Sequence, residues 1–146
     1  MLATNLFIAV ALWTAIGTGE LGDLPSSWAL LVVLAAAVVA YAFCELFGFR
    51  AKPLDQAGDP AEVAEQSWQR FVNSTHVRMM ICDVTFLITI PLGFIVQSFW
   101  VVLLGLVLAL PLGFWEAWPG PRNQQRFAAA LESRGVPSYL TGRLQD

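Results

Sequence analysis

The chain has 146 residues, of which 57% are apolar and 13% charged, with a formal net charge of -3 at neutral pH. Water-soluble domains are roughly 45–50% apolar, glycine included, and about 25% charged. The composition, with a mean hydropathy of +0.62, therefore excludes an ordinary soluble domain, a disordered chain and a nucleic-acid binder, and points to an integral membrane protein. Hydrocarbon satisfies no backbone group, so each crossing segment must be helical and the fold class all-α.

A helix needs about 20 mostly apolar residues to cross a hydrocarbon core of ~30 Å. Taken in chain order, four stretches meet or approach that length. The first, about 5–21, is the shortest. A cleaved signal peptide is its alternative, but a basic leading segment is missing and Gly17 and Gly19 make a poor cleavage site. The second, 28–49, is almost pure Ala, Val and Leu.

A polar loop follows over 50–76. It opens with Pro53 and a Gly58-Asp59-Pro60 breaker. Asp59 suits an N-cap, Pro60 the first helical position and Glu62 the returning arm of a capping box. These predict a helix near the membrane surface, with Trp68 and Phe71 toward its apolar side, running or bending into the third span. Asn73-Ser74-Thr75 matches a glycosylation sequon, but on a cytoplasmic face the match is accidental. The third and fourth spans cover about 77–97 and 100–118. Ile90-Pro91-Leu92-Gly93-Phe94 on one recurs as Leu110-Pro111-Leu112-Gly113-Phe114 on the other. Proline kinks a helix and glycine permits close helix approach. The tail, 119–146, breaks at Pro119-Gly120-Pro121. It predicts a short helix over 123–133, with Phe127, Leu131 and the alanines on one side and Gly135 as its stop. The expected architecture is one transmembrane domain over 1–146, an integral-membrane four-helix bundle with a cytoplasmic amphipathic loop helix and a short C-terminal helix.

Eight basic residues orient it. Arg50, Lys52, Arg70 and Arg78 lie in or beside the loop; Arg122, Arg126, Arg134 and Arg143 lie in the tail. The first connection (Glu20, Asp23) and the third (Gln97, Ser98) carry none. With four crossings all eight fall on one face, which the positive-inside rule makes cytoplasmic. The expectation is a multi-pass protein of the cell membrane with both termini inside, Trp28 and Trp100 marking the outer interface and Trp115 and Trp118 the inner one. Arginine outnumbers lysine seven to one and alanine is abundant, a compositional pattern of GC-rich bacterial genomes.

Ionisable residues inside a bilayer are costly, about 2.5–3.5 kcal/mol for Asp or Arg at the centre on the insertion scale. Asp83 lies six residues into the third span, roughly 9 Å deep at 1.5 Å per residue. Glu45 and Glu116 lie near the inner ends of the second and fourth spans. His76, the only histidine, is seven residues before Asp83 and on its face. Tyr41 is four before Glu45. Met79 and Met80 lie between His76 and Asp83, and Arg78 is placed to offer a counter-charge. Such a layer suits acid/base chemistry: one buried carboxyl gives a proton while another takes one. On this reading Asp83, Glu45 and Glu116 are catalytic, with His76 and Tyr41 orienting, and Arg78, Trp115, Met79 and Met80 contact the substrate. The bland reading makes Glu45 and Glu116 surface carboxylates and gives Asp83 a structural hydrogen bond or an ion pair with Arg78 or with a neighbouring helix.

One histidine is too few for a haem or di-iron site, so no metal and no cofactor is expected. Cys44 and Cys82, at matching depth, read as packing residues. No phosphate loop, Ser-His-Asp set or CxxC is present. The segment 58–76 resembles the cytoplasmic loop of the membrane glutathione transferases in an Arg-x-x-Asn pattern (Arg70, Asn73), but has His76 where that family has Glu. The stretch 68–78 resembles the end of the cofactor-free anthrone-oxygenase type. Each likeness covers under a sixth of the chain and transfers no residue role.

Two functions follow as expectations. One is a membrane-embedded enzyme of cyclase or isomerase type acting on a lipophilic substrate such as a terpenoid, polyketide or epoxide. The other is a non-catalytic small subunit or scaffold of a larger membrane complex; a small oligomeric transporter ranks behind both. The expected partners are the lipid bilayer, a lipophilic small molecule and either a membrane protein or further copies of the chain.

Overall fold

The computed structural model describes residues 2–16, 23–54 and 59–142, with side chains from residue 4 onward. Among these the protein is all-α, with five helices: α1 (Leu2–Ile16), α2 (Ser27–Phe47), α3 (Pro60–Val96), α4 (Phe99–Ala117) and α5 (Pro121–Leu131). Three of them, α2, α3 and α4, are long and apolar enough to cross a membrane. That is one fewer than the four expected spans. The apolar run of α1, Thr4–Ala15, is too short for a full crossing by itself. The remainder of the expected first span, 17–21, lies outside the described residues, as do Gly58 and Arg143.

The segment 60–76 is helical as expected, but it is not a separate element. No breaker separates it from the apolar stretch, and α3 runs unbroken for 37 residues, about 55 Å at 1.5 Å per residue. Only about 20 residues of that length are needed to cross hydrocarbon, and the polar first half is the excess. Pro91 and Pro111 both lie inside unbroken helices.

The chain divides into two compact units. One comprises Met1–Ala42 and Met80–Trp115. Its core is apolar, with Ala9, Phe86, Phe99, Val102, Leu106 and Ala109 in one cluster and Ala29, Val33, Leu92 and Val101 in another. Small residues bring α3 and α4 together. A Cβ on Gly105 would stand 2.2 Å from Thr89 Cγ2, and one on Gly113 would be 3.8 Å from the Cβ of the buried Cys82. Gln97 adopts the left-handed region (φ 50°) and turns the chain from α3 into α4. Its side chain donates to the Phe94 carbonyl at 2.6 Å and the Ser98 hydroxyl to the Asp23 carbonyl at 2.8 Å.

The other unit comprises Phe43–Met79 and Glu116–Asp146. Its core gathers Phe49, Leu54, Val63, Phe71, Phe127, Ala128 and Leu131. Phe71 meets Phe127 edge-on at 5.7 Å, so Phe71 is buried as the apolar side of the polar half of α3, while Trp68 stays 43% exposed. The tail helix buries Phe127, Ala128 and Leu131, as the sequence predicts. It starts two residues earlier than expected because Pro121, lacking a donor, suits the first turn.

Candidate functional site

The structure divides the predicted site residues between the two units. Asp83 belongs to the first. Its Oδ1 accepts a hydrogen bond from Asn5 Nδ2 at 2.9 Å, and Asn5 is buried. Of the partners expected for Asp83, Arg78 or a neighbouring helix, the described hydrogen bond comes from a neighbouring helix, α1. The donor is a neutral amide 78 residues away in sequence, because α1 packs its Asn5 face against α3.

Glu45, Arg78 and Glu116 belong to the second unit, and there they form a charge network with α5. The Glu45 carboxylate is ion-paired on one oxygen with Arg122 and on the other with Arg126. These arginines are four apart on α5, so they share a face. Arg122 Nη1 also donates to Asn123 Oδ1 at 3.1 Å. Asn123 in turn donates to the backbone carbonyls of Glu116 (3.2 Å) and Trp118 (2.9 Å). The start of α5 is thereby tied to the ends of α2 and α4.

Arg78 and Glu116 are both fully buried, with Nη1 and Oε2 3.6 Å apart. The Arg78 guanidinium lies 4.2 Å from the centroid of the Phe49 ring and 5.9 Å from that of Phe71, and its Nη2 donates to Thr75 Oγ1 at 2.9 Å. Such cation–aromatic contact stabilises a desolvated guanidinium. Arg126 lies over the same Phe49 ring at 4.5 Å. Gly48 makes room for the arginine stem: a Cβ there would meet Arg78 Cγ and Cδ at 2.6 Å. The Glu116 oxygens are buried and accept no hydrogen bond.

The remaining predicted residues are exposed or half-buried. His76 is exposed. Tyr41, Met80 and Trp115 are 43%, 56% and 57% exposed, and Met79 is half-buried. Tyr41 shares a helix face with Glu45, but the Glu45 carboxylate is engaged by α5. Cys44 and Cys82 are buried thiols outside any disulfide, and Cys44 Sγ donates to the Arg78 carbonyl at 3.6 Å. Ser74 and Thr75 of the sequon serve α3 packing, Ser74 Oγ donating to the Gly48 carbonyl at 2.6 Å.

No three His, Cys, Asp or Glu side chains converge as a metal set among the described residues. An apolar groove of about 220 Å³ lies against α1 and α4 and is lined by residues including Leu6, Trp13, Phe99 and Leu103. An open depression on α3 is lined by Ala61, Glu62, Glu65 and Gln66. Neither is lined by a predicted catalytic residue.

Sequence reasoning treated Arg122 and Arg126 only as topology markers and missed Phe49 and Asn123 altogether. The i, i+4 spacing of the two arginines on an amphipathic tail helix was the available signal. Asn5, the polar residue within an apolar helix, was the signal for the Asp83 partner. Compared with known proteins, the chain matches no family model, no curated relative and no solved structure.

Proposed function

We infer that the chain is a non-catalytic subunit or scaffold within a larger membrane assembly, inserted in the cell membrane with its basic segments on the cytoplasmic side. The observation that carries this reading is Glu45. Its two oxygens are each ion-paired with an arginine of another helix, an arrangement that fastens helix ends. Asp83 is likewise bonded by Asn5. The apolar surface supports the same reading: 17% of the most apolar stretch of α2 is buried, against 44% for α4. That leaves α2 wide contact with lipid or with a neighbouring membrane helix.

The test is composition after purification. The tagged chain, taken from its own membrane in mild detergent, is expected to run as a defined complex with a second kind of polypeptide in fixed ratio. A chain that runs alone, or only as copies of itself, overturns the subunit reading.

One observation favours the enzyme reading. Glu116 keeps a buried carboxylate with no hydrogen bond on either oxygen, a group with acid/base capacity in reserve. A cyclase or isomerase acting on a lipophilic substrate through that carboxyl would lose turnover in Glu116→Gln while the protein stayed folded and membrane-inserted.

A further inference from the structure

We propose that the α2 end of the second unit is a docking site for an anionic phospholipid, with Arg50, Lys52 and Arg70 receiving the phosphate and Phe43, Leu46 and Phe47 meeting the acyl chains. The three basic residues are all exposed. They are gathered by the fold as well as by sequence, since Arg70 Nη1 donates to the Lys52 carbonyl at 3.3 Å. Arg50 extends over the ring of Phe47, 4.4 Å from its centroid.

Arg50 and Arg70 differ in their partners from Arg78, Arg122 and Arg126. Arg78, Arg122 and Arg126 each face a carboxylate. Arg50 stacks on an aromatic ring and Arg70 donates to a backbone carbonyl; neither forms an ion pair with a described carboxylate. Glu65, the nearest described acid before Arg70 on α3, accepts from Gln69 at 3.0 Å. Among the described residues no carboxylate pairs with these two guanidinium groups, and guanidinium matches phosphate with two parallel donors.

The apolar half of the site identifies the anion's source. Phe43, Leu46 and Phe47 are 49%, 63% and 44% exposed on the last turns of a helix able to cross a membrane. The Phe43 and Phe47 rings pack 4.7 Å apart. Trp68, two residues before Arg70, is an exposed amphipathic ring of the kind enriched at headgroup level. A soluble phosphate or an acidic peptide would use the charges and leave this apolar surface in water. A lipid uses both at once, with its headgroup on the basic residues and its chains along α2.

Each Lys or Arg near an anionic surface contributes about 1 kcal/mol, which is roughly fivefold in affinity. Native mass spectrometry of the detergent-purified full chain, offered equal phosphatidylglycerol and phosphatidylcholine, tests the site. The wild-type chain is expected to retain phosphatidylglycerol. Arg50→Gln should lose roughly fivefold and Arg50→Gln/Arg70→Gln roughly thirtyfold, while Arg50→Lys/Arg70→Lys stays within a few-fold of wild type. Arg134→Gln, a charge removed from the exposed tail, should leave retention unchanged. Because the Arg50 side chain stacks on Phe47 and makes no described ion pair, its single variant keeps the test valid if the double variant folds poorly. Equal retention of the two lipids, or no loss in Arg50→Gln, overturns the proposal. Displacement of the lipid by millimolar glycerol phosphate would assign the site to a soluble anion and overturn it as well.

Discussion

In the unit formed by 1–42 and 80–115, helices meet through Ala9, Ala29, Gly105 and a ring stack of Trp13 on Phe99, and the carboxyl of Asp83 is met by a neutral amide. The unit formed by 43–79 and 116–146 holds every described basic residue of the chain. Its helix ends are fastened by Glu45 with Arg122 and Arg126 and by Arg78 with Glu116. The contrast shows two ways of joining helices that carry similar apolar stretches. Where lipid offers no hydrophobic drive for association, close packing by small residues does the work. In the second unit charge pairs supply geometry, and the aromatic rings of Phe49 and Phe71 lie against the Arg78 guanidinium.

The difference is sharpest at the buried pair. Arg78→Ala or Glu116→Ala each leaves an uncompensated buried charge and should lower stability by about 3–5 kcal/mol, read as the unfolding transition of the detergent-solubilised protein. An apolar pair of similar volume, Arg78→Met with Glu116→Leu, should recover most of the loss. If the single changes cost no more than a surface substitution, the charge network is not what fastens this unit.

Gly105→Ala probes the other unit. The new methyl group would collide with Thr89, and overpacking of this kind costs about 1–3 kcal/mol. The loss should be the same at low and high salt, since no charge is involved. The outer pair behaves in the opposite way. Glu45→Gln should cost about 1 kcal/mol, because Arg122 and Arg126 are each 39% exposed and exposed pairs are weak. Raising the salt to molar concentration should bring wild type and variant together. A salt-independent loss would mean that Glu45 acts by packing.

The smallest effect is expected at Asn5→Val. Hydrogen bonds between membrane helices average about 0.6 kcal/mol, and the double cycle with Asp83→Asn isolates that coupling. A value above about 2 kcal/mol would place the main fastening of the first unit in this one bond and remove the contrast between the units.

Much of the architecture was legible in the chain. The apolar run of α2 and that of α4 end within two residues of their expected limits, because hydrocarbon length and helical rise leave little freedom. The tail helix and its buried Phe127 and Leu131 followed from spacing and from the flanking Pro and Gly. The polar first half of α3 read as helix too, although its unbroken continuation into the apolar half turned on the absence of a breaker between them.

The candidate site was legible only as a list. Composition and periodicity determine that this chain is helical, apolar enough for a membrane, and burdened with Glu45, Asp83 and Glu116 in its apolar helices. They carry no information on which side chain meets which. Asn5 and Asp83 are separated by 78 residues, Glu45 and Arg122 by 77, and Glu45 and Arg126 by 81. Local spacing predicts partners three or four residues apart on one helix. Helix periodicity therefore offered Tyr41, four residues away, to Glu45 and His76, seven residues or two turns away, to Asp83. The folded chain assigned arginines and an amide instead, because a buried charge must find its partner on whichever helix packing brings against it.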